Sequence, residues 1–448
     1  MASLGCAKNL VDAETVLGET LGADFALAVD PEDADVVIVN TCGFIQDARD
    51  EAREVLREFL GYKQANPRLK VVAIGCWAER APADIRSEFP ALDAVWGLDI
   101  PSSLGEMLLG LLSGRDEAAA GCPSAAPRSP REGARLVTTL PSYGYLRLSD
   151  GCDNRCHYCA IPLIRGGLRS REPDAVIDEA KSLADQGARE LVIISQDTTA
   201  YGMDLKRPGV NLRSLLERLL TITDVPRLRL LYAHPAHLDD EVLRLIRDEE
   251  RFCRYLDLPI QHASDDVLRR MGRGYGRDRI MHIVEALAGC DFTLRTTILA
   301  GYPGETEAEF QEALEFVRAG HFRHLGAFAY SPEPDTAAYD LPDRVQPEIA
   351  AARRDALLAA QMQNAFSWLD SRIGETEAVL VDSRADGEWL VGRTRHEAPD
   401  ADGSVYVHSR RHGPGDTVMA CIKGREEYDL IAEPATGAKP GKRRRKHR

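Results

Sequence analysis

Asp150-Gly151-Cys152-Asp153-Asn154-Arg155-Cys156-His157-Tyr158-Cys159 sets three cysteines at the spacing C-x3-C-x2-C. The stretch follows directly on residues 145–149, a run that reads as a strand. Three thiolates in one loop can hold three irons of a 4Fe–4S cluster and leave the fourth open. An open iron can chelate the amino and carboxylate groups of S-adenosylmethionine, whose reduction yields a 5′-deoxyadenosyl radical. The other readings are a zinc loop or packing cysteines. Structural zinc usually takes four protein ligands, and packing alone does not ask for this spacing. His157 reads as a loop residue rather than a ligand.

Outward from this loop the chain alternates strand and helix. Strands are expected at 145–149, 190–195, 227–232, 255–259, 292–299 and 325–330, with helical patterns at 173–187, 238–247 and 305–319 and a closing helix at 347–369. Six units predict an open or partial (β/α)6 barrel, with the chemistry beyond the C-terminal ends of its strands. Upstream, the runs Val36-Val37-Ile38-Val39 and Val71-Val72-Ala73-Ile74 alternate with helical stretches at 11–21, 46–60 and 79–89. That pattern predicts a small doubly wound α/β domain. The strand expected ahead of Ser3-Leu4-Gly5-Cys6 is truncated or missing at the chain's start. After Ile373 the pattern changes to five short strands at 378–381, 389–392, 405–407, 417–422 and 428–431, the size of an OB-like β-barrel. The expected α/β organisation is an N-terminal domain at 1–112, a Pro/Ala/Gly-rich linker at 113–135, the partial barrel at 136–371, the β-barrel at 372–436 and a disordered basic tail at 437–448.

The 448 residues carry 56 Lys/Arg and 71 Asp/Glu, a net charge of −15. Seven Lys/Arg fall in residues 439–448, leaving 49 against 71 acids, a net −22, in the other 438. An acidic body suits a basic partner better than bulk phosphate. No apolar run approaches the roughly 18 residues of a membrane span. No basic flank with an apolar core opens the chain, so a cytoplasmic home is expected, where disulfides are disfavoured. The ten cysteines then need another role. Cys6, Cys42 and Cys76 each follow an expected strand. The C-termini of parallel strands share one edge, so these three thiols can converge and hold a second cluster, or they are small buried residues. Cys253, Cys290 and Cys421 read as packing residues, and Cys122 as incidental.

On these residues the chain resembles the methylthiotransferases of the radical S-adenosylmethionine superfamily, over nearly its whole length: three N-terminal cysteines, the C-x3-C-x2-C barrel, and a terminal β-barrel of the kind called TRAM. One branch of that family modifies an adenosine of transfer RNA. The other modifies the β-carbon of an aspartate in ribosomal protein S twelve. The stretches Ser3-Leu4-Gly5-Cys6-Ala7-Lys8-Asn9-Leu10-Val11-Asp12, Asp257-Leu258-Pro259-Ile260-Gln261-His262-Ala263-Ser264, Gln196-Asp197-Thr198-Thr199 and Gly392-Arg393-Thr394 are similar to the second branch. Ala7 departs from it, standing where that branch has Pro.

The resemblance implies an enzyme with two 4Fe–4S clusters, on Cys152, Cys156, Cys159 and on Cys6, Cys42, Cys76. The first makes the radical that abstracts hydrogen from an unactivated C–H. The second supplies sulfur with its methyl group, the methyl coming from a second S-adenosylmethionine. Implied partners are ribosomal protein S twelve, free or in the small subunit, an electron donor and a sulfur donor. No membrane is involved, and the basic tail could contact ribosomal RNA. For S-adenosylmethionine the resemblance points to Tyr158 and to Ser195, Gln196 and Asp197. Tyr158 could equally pack under the cluster, and Asp197 could cap the next helix. Residues 301–305 could bring backbone to the cofactor or simply turn the chain. Beyond the clusters, Gln261 and His262 are the candidate catalytic side chains, expected in the same mouth. The β-barrel, with thirteen Asp/Glu and eight Lys/Arg over 372–436, is expected to dock the substrate protein, with Asp400 and Asp402 as exposed charges. A local basic face at Arg393, Arg395, Arg410 and Arg411 is the competing reading. Trp389, Tyr406 and Tyr428 are expected in its core.

Overall fold

The computed structural model describes residues 1–23, 25–98, 104–114 and 135–435. Cys122, nearly all of the expected linker and the basic tail lie outside the described residues. The chain starts with β1 (Ala2–Ser3), α1 (Ala7–Gly22), β2 (Val36–Thr41), α2 (Gln46–Ala65), β3 (Lys70–Gly75), α3 (Cys76–Arg80), α4 (Pro82–Glu88), β4 (Ala94–Val95) and α5 (Leu104–Leu112). The four strands form a parallel sheet in the order β1-β2-β3-β4. Val37, Val39, Val71 and Ala73 pack against Ala52 and Leu56 of α2 and Ile85 of α4. On the other face Ile38, Val72 and Ile74 meet Val16 of α1 and Leu104 and Leu108 of α5. Burial on both faces is why the two central strands read as unbroken apolar runs. The strand expected to be truncated or missing is present in truncated form: Ala2 and Ser3 pair with Val39 and Asn40, and Leu4 N–H donates to Asn40 O (3.0 Å). Two residues leave no apolar run to read. The single helix expected at 79–89 is two, parted at Ala81-Pro82, where proline has no N–H to continue the ladder.

The middle of the chain holds β5 (Tyr143–Arg147), β6 (Ser149–Asp150), α6 (Ile161–Arg165), β7 (Arg169–Ser170), α7 (Pro173–Asp185), β8 (Glu190–Ile194), α8 (Leu212–Ile222), β9 (Arg227–Leu230), α9 (Asp240–Asp248), β10 (Phe252–Asp257), α10 (Asp265–Arg270), α11 (Arg277–Leu287), β11 (Thr293–Ala300), α12 (Glu307–Arg318), β12 (His324–Ala329) and α13 (Pro347–Ser371). Six parallel strands run β5-β8-β9-β10-β11-β12, open between the two edges β5 and β12. Leu191, Ile193, Leu228, Leu230, Leu256 and Ile298 face the helices. Tyr143, Tyr145, Val192, Ile194, Leu231, Cys253 and Tyr255 face the lumen. Leu10 and Val11 of α1 and Ala398 of the C-terminal region also pack in that lumen cluster. The antiparallel pair β6–β7 pins the start of the cysteine loop to its exit.

The last strands are β13 (Thr376–Arg384), β14 (Trp389–Arg393), β15 (Val405–His408), β16 (Thr417–Glu426) and β17 (Asp429–Pro434), closed into a barrel β13-β14-β15-β17-β16. Its core is aliphatic: Val379, Val381, Leu390, Val405, Val407, Val418, Ile422 and Leu430. Trp389 and Tyr428 are outside it, 37% and 46% exposed, because Val, Leu and Ile already fill a barrel this narrow.

This barrel docks under the N-terminal ends of the six-stranded sheet. Buried Glu190 pairs with Arg229 (2.6 Å) and with Arg393 of β14 (3.2 Å). Arg227 donates to Ala378 O (2.6 Å) and Arg393 O (3.1 Å). The expected surface charges are part of this junction. Asp400 Oδ2 accepts from the hydroxyls of Tyr143 (3.0 Å) and Tyr145 (2.8 Å), and Asp402 Oδ2 from Tyr255 (2.7 Å). Asp402 is 2% exposed. The Asp402 carboxylate closes the base of the lumen and offers nothing to a docking protein, whereas Asp400, although bonded to two tyrosines, stays exposed as expected. The competing basic face dissolves too: Arg393 is buried in ion pairs, and Arg395 donates to Glu250 O and Phe252 O. Among the described residues no helix is long and apolar enough to cross a membrane.

Candidate active site between two cysteine trios

The loop bearing Cys152, Cys156 and Cys159 leaves the C-terminal edge of the open sheet between β6 and α6. Cys152 N–H donates to Gly166 O (3.1 Å) and Cys159 N–H to Cys156 O (3.0 Å), curling the loop on itself. Asp153 Oδ1 accepts from Leu168 N–H (2.8 Å). Asn154 Nδ2 donates to Asp197 Oδ2 (2.7 Å). His157 is spent on the loop: its N–H donates to Met271 O (3.0 Å) and its Nδ1 to Arg270 O (2.8 Å). Buried Arg273 donates to Cys156 Sγ (3.1 Å), to Tyr158 Oη (3.2 Å) and to Pro259 O (2.9 Å).

Cys6, Cys42 and Cys76 follow β1, β2 and β3 at the common C-terminal edge of the N-terminal sheet. Gly5 brings the first two together. At φ +85°, an added Cβ would stand 2.8 Å from Cys42 Cβ and 3.0 Å from its sulfur, so only glycine lets these segments approach. Cys76 Sγ donates to Asn9 Oδ1 (3.2 Å).

The N-terminal domain lies across the mouth of the partial barrel and grips both of its edges. Beside β5, Asp12 of α1 pairs with Arg147 (2.5 Å) and Arg165 (2.7 Å), each 2% exposed. After β12, Glu333 takes Arg49 of α2 (2.6 Å) and Arg80 of α3 (2.7 Å). Arg165 is the link between the trios. It ends α6, pairs with Asp150 (3.0 Å) beside the cysteine loop, and donates to Asn9 Oδ1 (2.8 Å) and Cys76 Sγ (3.3 Å). Cys76 packs on Ala160 and Ile164. The two sets of thiols therefore meet at one cleft, although they belong to separate sheets.

Residues 1–97 match the uncharacterized protein family UPF0004, residues 146–317 the Radical SAM superfamily and residues 373–434 the TRAM domain. The chain is 40% identical to the ribosomal protein uS12 methylthiotransferase RimO of Syntrophotalea carbinolica, over 97% of this chain and 96% of that one. It is 41% identical to the RimO of Desulforudis audaxviator, over 96% of each. This chain belongs to the RimO family. The radical S-adenosylmethionine methyltransferase TsrM from Kitasatospora setae, solved with tryptophan and a SAM analog, shares the fold at 19% identity and a TM-score of 0.50, over 79% of this chain and 69% of that one.

RimO-family membership brings two 4Fe–4S clusters and S-adenosylmethionine as cofactors, and both trios have the chemistry for clusters. All six cysteines are free. A four-iron cube spreads its ligands over separate irons. Burial pushes the Cys76, Cys152 and Cys159 thiols up to about 12, so without metal they hold their protons. A coordinated cation reverses that preference. The N–H donors of Arg165 and Arg273 at Cys76 and Cys156 suit sulfurs that carry negative charge.

The other expected site residues divide. Tyr158 packs with Val267, Met271 and Tyr302. Ser195 is sealed, its hydroxyl bonded within the strand layer to Ser149 Oγ (2.9 Å). Gln196 Nε2 donates to Asp150 Oδ1 (3.1 Å), while its buried Oε1 has no partner. Asp197 Oδ1 caps the turn that follows, accepting from Thr199 N–H (3.0 Å) and Ala200 N–H (3.2 Å), and Oδ2 takes Asn154 and His237 (2.7 Å). Gln261 has φ +67° at the strand end. His262 is buried, its Nδ1 accepting from Ser264 N–H (3.0 Å); burial lowers its pKa to about 4, and its charged neighbours are Glu309, Arg270 and Arg353. It is a neutral loop residue, not a group in the mouth. At residues 301–305, Glu305 takes the N–H groups of Gly301 (2.7 Å) and Tyr302 (3.1 Å), and the close approach at Gly301 is to Ala350 of α13. Sequence reading passed over Asn9, Asp12, Arg147, Arg165, Arg273 and Glu333. Arg165-Gly166-Gly167 and Gly272-Arg273-Gly274 carried a weak signal, a lone cation beside a pair of glycines.

Proposed function

We propose that this chain methylthiolates the β-carbon of an aspartate in ribosomal protein S12. Cys152, Cys156 and Cys159 hold one 4Fe–4S cluster at the barrel mouth, and Cys6, Cys42 and Cys76 hold the second across the cleft. When bound, the clusters and S-adenosylmethionine supply radical hydrogen abstraction and a transferable methylthio group. The protein's part is placement. The pairs Asp12–Arg147–Arg165 and Glu333–Arg49–Arg80 set the width of the cleft. Asn154 and Asp197 fix the cysteine loop against β8. Leu10 and Val11 of α1 and Ala398 fill the lumen with apolar side chains, which keeps water from a reactive intermediate. A β-carbon C–H offers no acidic proton, so acid–base side chains alone would not suffice. The neutral His262 and the fully bonded Asp197 fit a site that does not rely on them.

The single observation that carries this reading is the convergence of two free thiol trios on one cleft, joined by Arg165. S12 is the substrate, free or in the small subunit. A cytoplasmic setting, an electron donor and a sulfur donor complete the system, and the basic tail at 439–448 reaches for ribosomal RNA. Iron analysis of the reconstituted chain tests the assignment. About eight irons per chain are expected, falling to about four when Cys6, Cys42 and Cys76 are all replaced by Ala, with cleavage of S-adenosylmethionine retained and methylthio transfer lost. Methylthiolated product from that triple variant would refute the division of labour.

A further inference from the structure

Lys8 is a buried cation of the cleft with no carboxylate partner among the described residues; Arg273 is another, but its guanidinium is spent on Cys156 Sγ, Tyr158 Oη, Tyr275 Oη and Pro259 O. It lies two residues after Cys6 in the first turn of α1 and is 8% exposed. Its ammonium sits 3.2 Å from the centroid of the Tyr232 ring. No carboxylate is within ion-pair distance of it, whereas Arg147 and Arg165 share Asp12 and Arg295 pairs with Asp257 (3.2 Å). Asp257 cannot swing to it either: Oδ1 holds Arg295 and Oδ2 accepts from Tyr232 N–H (3.1 Å). A cation–π contact offsets only part of what a buried ammonium loses with its water. The fold spends strain on this contact. Tyr232 follows β9 at φ +60°, a conformation bulky residues avoid, and that backbone puts its ring under the ammonium. Lys8 is buried but not sealed, keeping 8% of its surface exposed.

We propose that the Lys8 ammonium receives the side-chain carboxylate of the substrate aspartate. The inference rests on the function proposed above. The β-carbon is bonded directly to that carboxylate, so one charge-assisted hydrogen bond to it fixes the reacting carbon between the two trios. It also makes the site select aspartate over asparagine, since an uncharged amide leaves the ammonium unpaired. Lys8 is then a specificity-determining residue. The rival role for the same charge is to balance the thiolate of Cys6, whose field reaches it.

The test is equilibrium binding of full-length ribosomal protein S12, and of S12 with the target aspartate replaced by asparagine, to the reconstituted holoenzyme, with the reduction potential of each cluster measured alongside. The wild-type enzyme is expected to bind the aspartate form about ten- to a hundredfold more tightly. Lys8→Met is expected to bind both forms alike, and Lys8→Arg to keep the preference, with both potentials unmoved in Lys8→Met. Iron content reports that each variant is folded and loaded. An aspartate preference that survives in Lys8→Met overturns the inference. So does a wild-type enzyme that binds both forms equally, or a shifted N-terminal cluster potential with the preference intact. No binding of either form by the wild-type enzyme would instead refute S12 as the substrate.

Discussion

Replacing Asp12 by Asn is expected to uncouple radical generation from methylthio transfer. Asp12 is the carboxylate between two guanidiniums that are each 2% exposed, at 2.5 Å from Arg147 and 2.7 Å from Arg165. Asparagine keeps the volume and loses the charge. Arg165 retains Asp150 and Asn9. Arg147 has no other acidic partner within ion-pair distance among the described residues, and its Nε is already buried without one. Removing one member of a buried ion pair costs about 3–5 kcal/mol because the other charge stays buried. The amide can still accept one hydrogen bond, so the lower end, about 3 kcal/mol, applies. At 1.4 kcal/mol per factor of ten, the docking of α1 against the barrel weakens by roughly a hundredfold. Hydrogen exchange at residues 7–15 and 143–150 reads that loss directly. In the same preparation, cleavage of S-adenosylmethionine should stay within a few-fold of wild type, because the barrel trio is untouched, while methylthiolated product falls at least tenfold. Unchanged exchange together with unchanged product would refute the claim that this pair holds the cleft.

The junction beneath the barrel has its own signature. Burial would raise the Glu190 carboxyl, but Arg229 and Arg393 outweigh it and hold it down to about 2 from an ordinary 4.5. That difference is worth on the order of 3 kcal/mol. A depressed carboxylate stabilises the fold above its unfolded pKa and loses that contribution as the pH falls through the folded one. Glu190→Gln should therefore lower urea resistance strongly at pH 7, and the gap to wild type should narrow between pH 4.5 and 2; a gap independent of pH would contradict the assignment. Asp402→Lys should cost about 3 kcal/mol or more, by placing an ammonium beside Arg295 in the closed base of the lumen. Limited proteolysis should release the β-barrel from that variant, and wild-type resistance would contradict the buried placement.

The six parallel strands, the closing helix and the five-stranded barrel were legible because each is a local pattern, an apolar run or alternation bounded by turn residues. Both cysteine trios were legible for related reasons: one is a spacing, the other a repeated position after strands. Pairing across the chain was not legible. Asp12 meets arginines 135 and 153 residues away, and nothing local marks an arginine as buried. For the same reason Asp402 read as surface charge, although the Tyr255 hydroxyl and the lumen enclose it. His262 read as a mouth residue from its neighbour Gln261, while the turn puts it on the helix side. Trp389 and Tyr428 misled by size, since large aromatics usually mark a core and this barrel has no room for them.

The most direct test of the account is the mass of ribosomal protein S12 after reaction with the reconstituted enzyme, S-adenosylmethionine, a reductant and a sulfur source. A single methylthio addition is expected, mapped by fragmentation to the β-carbon of one aspartate, and absent when Cys152, Cys156 and Cys159 are replaced by Ala. S12 of unchanged mass, in an assay where the same enzyme methylthiolates an adenosine of transfer RNA, would contradict it.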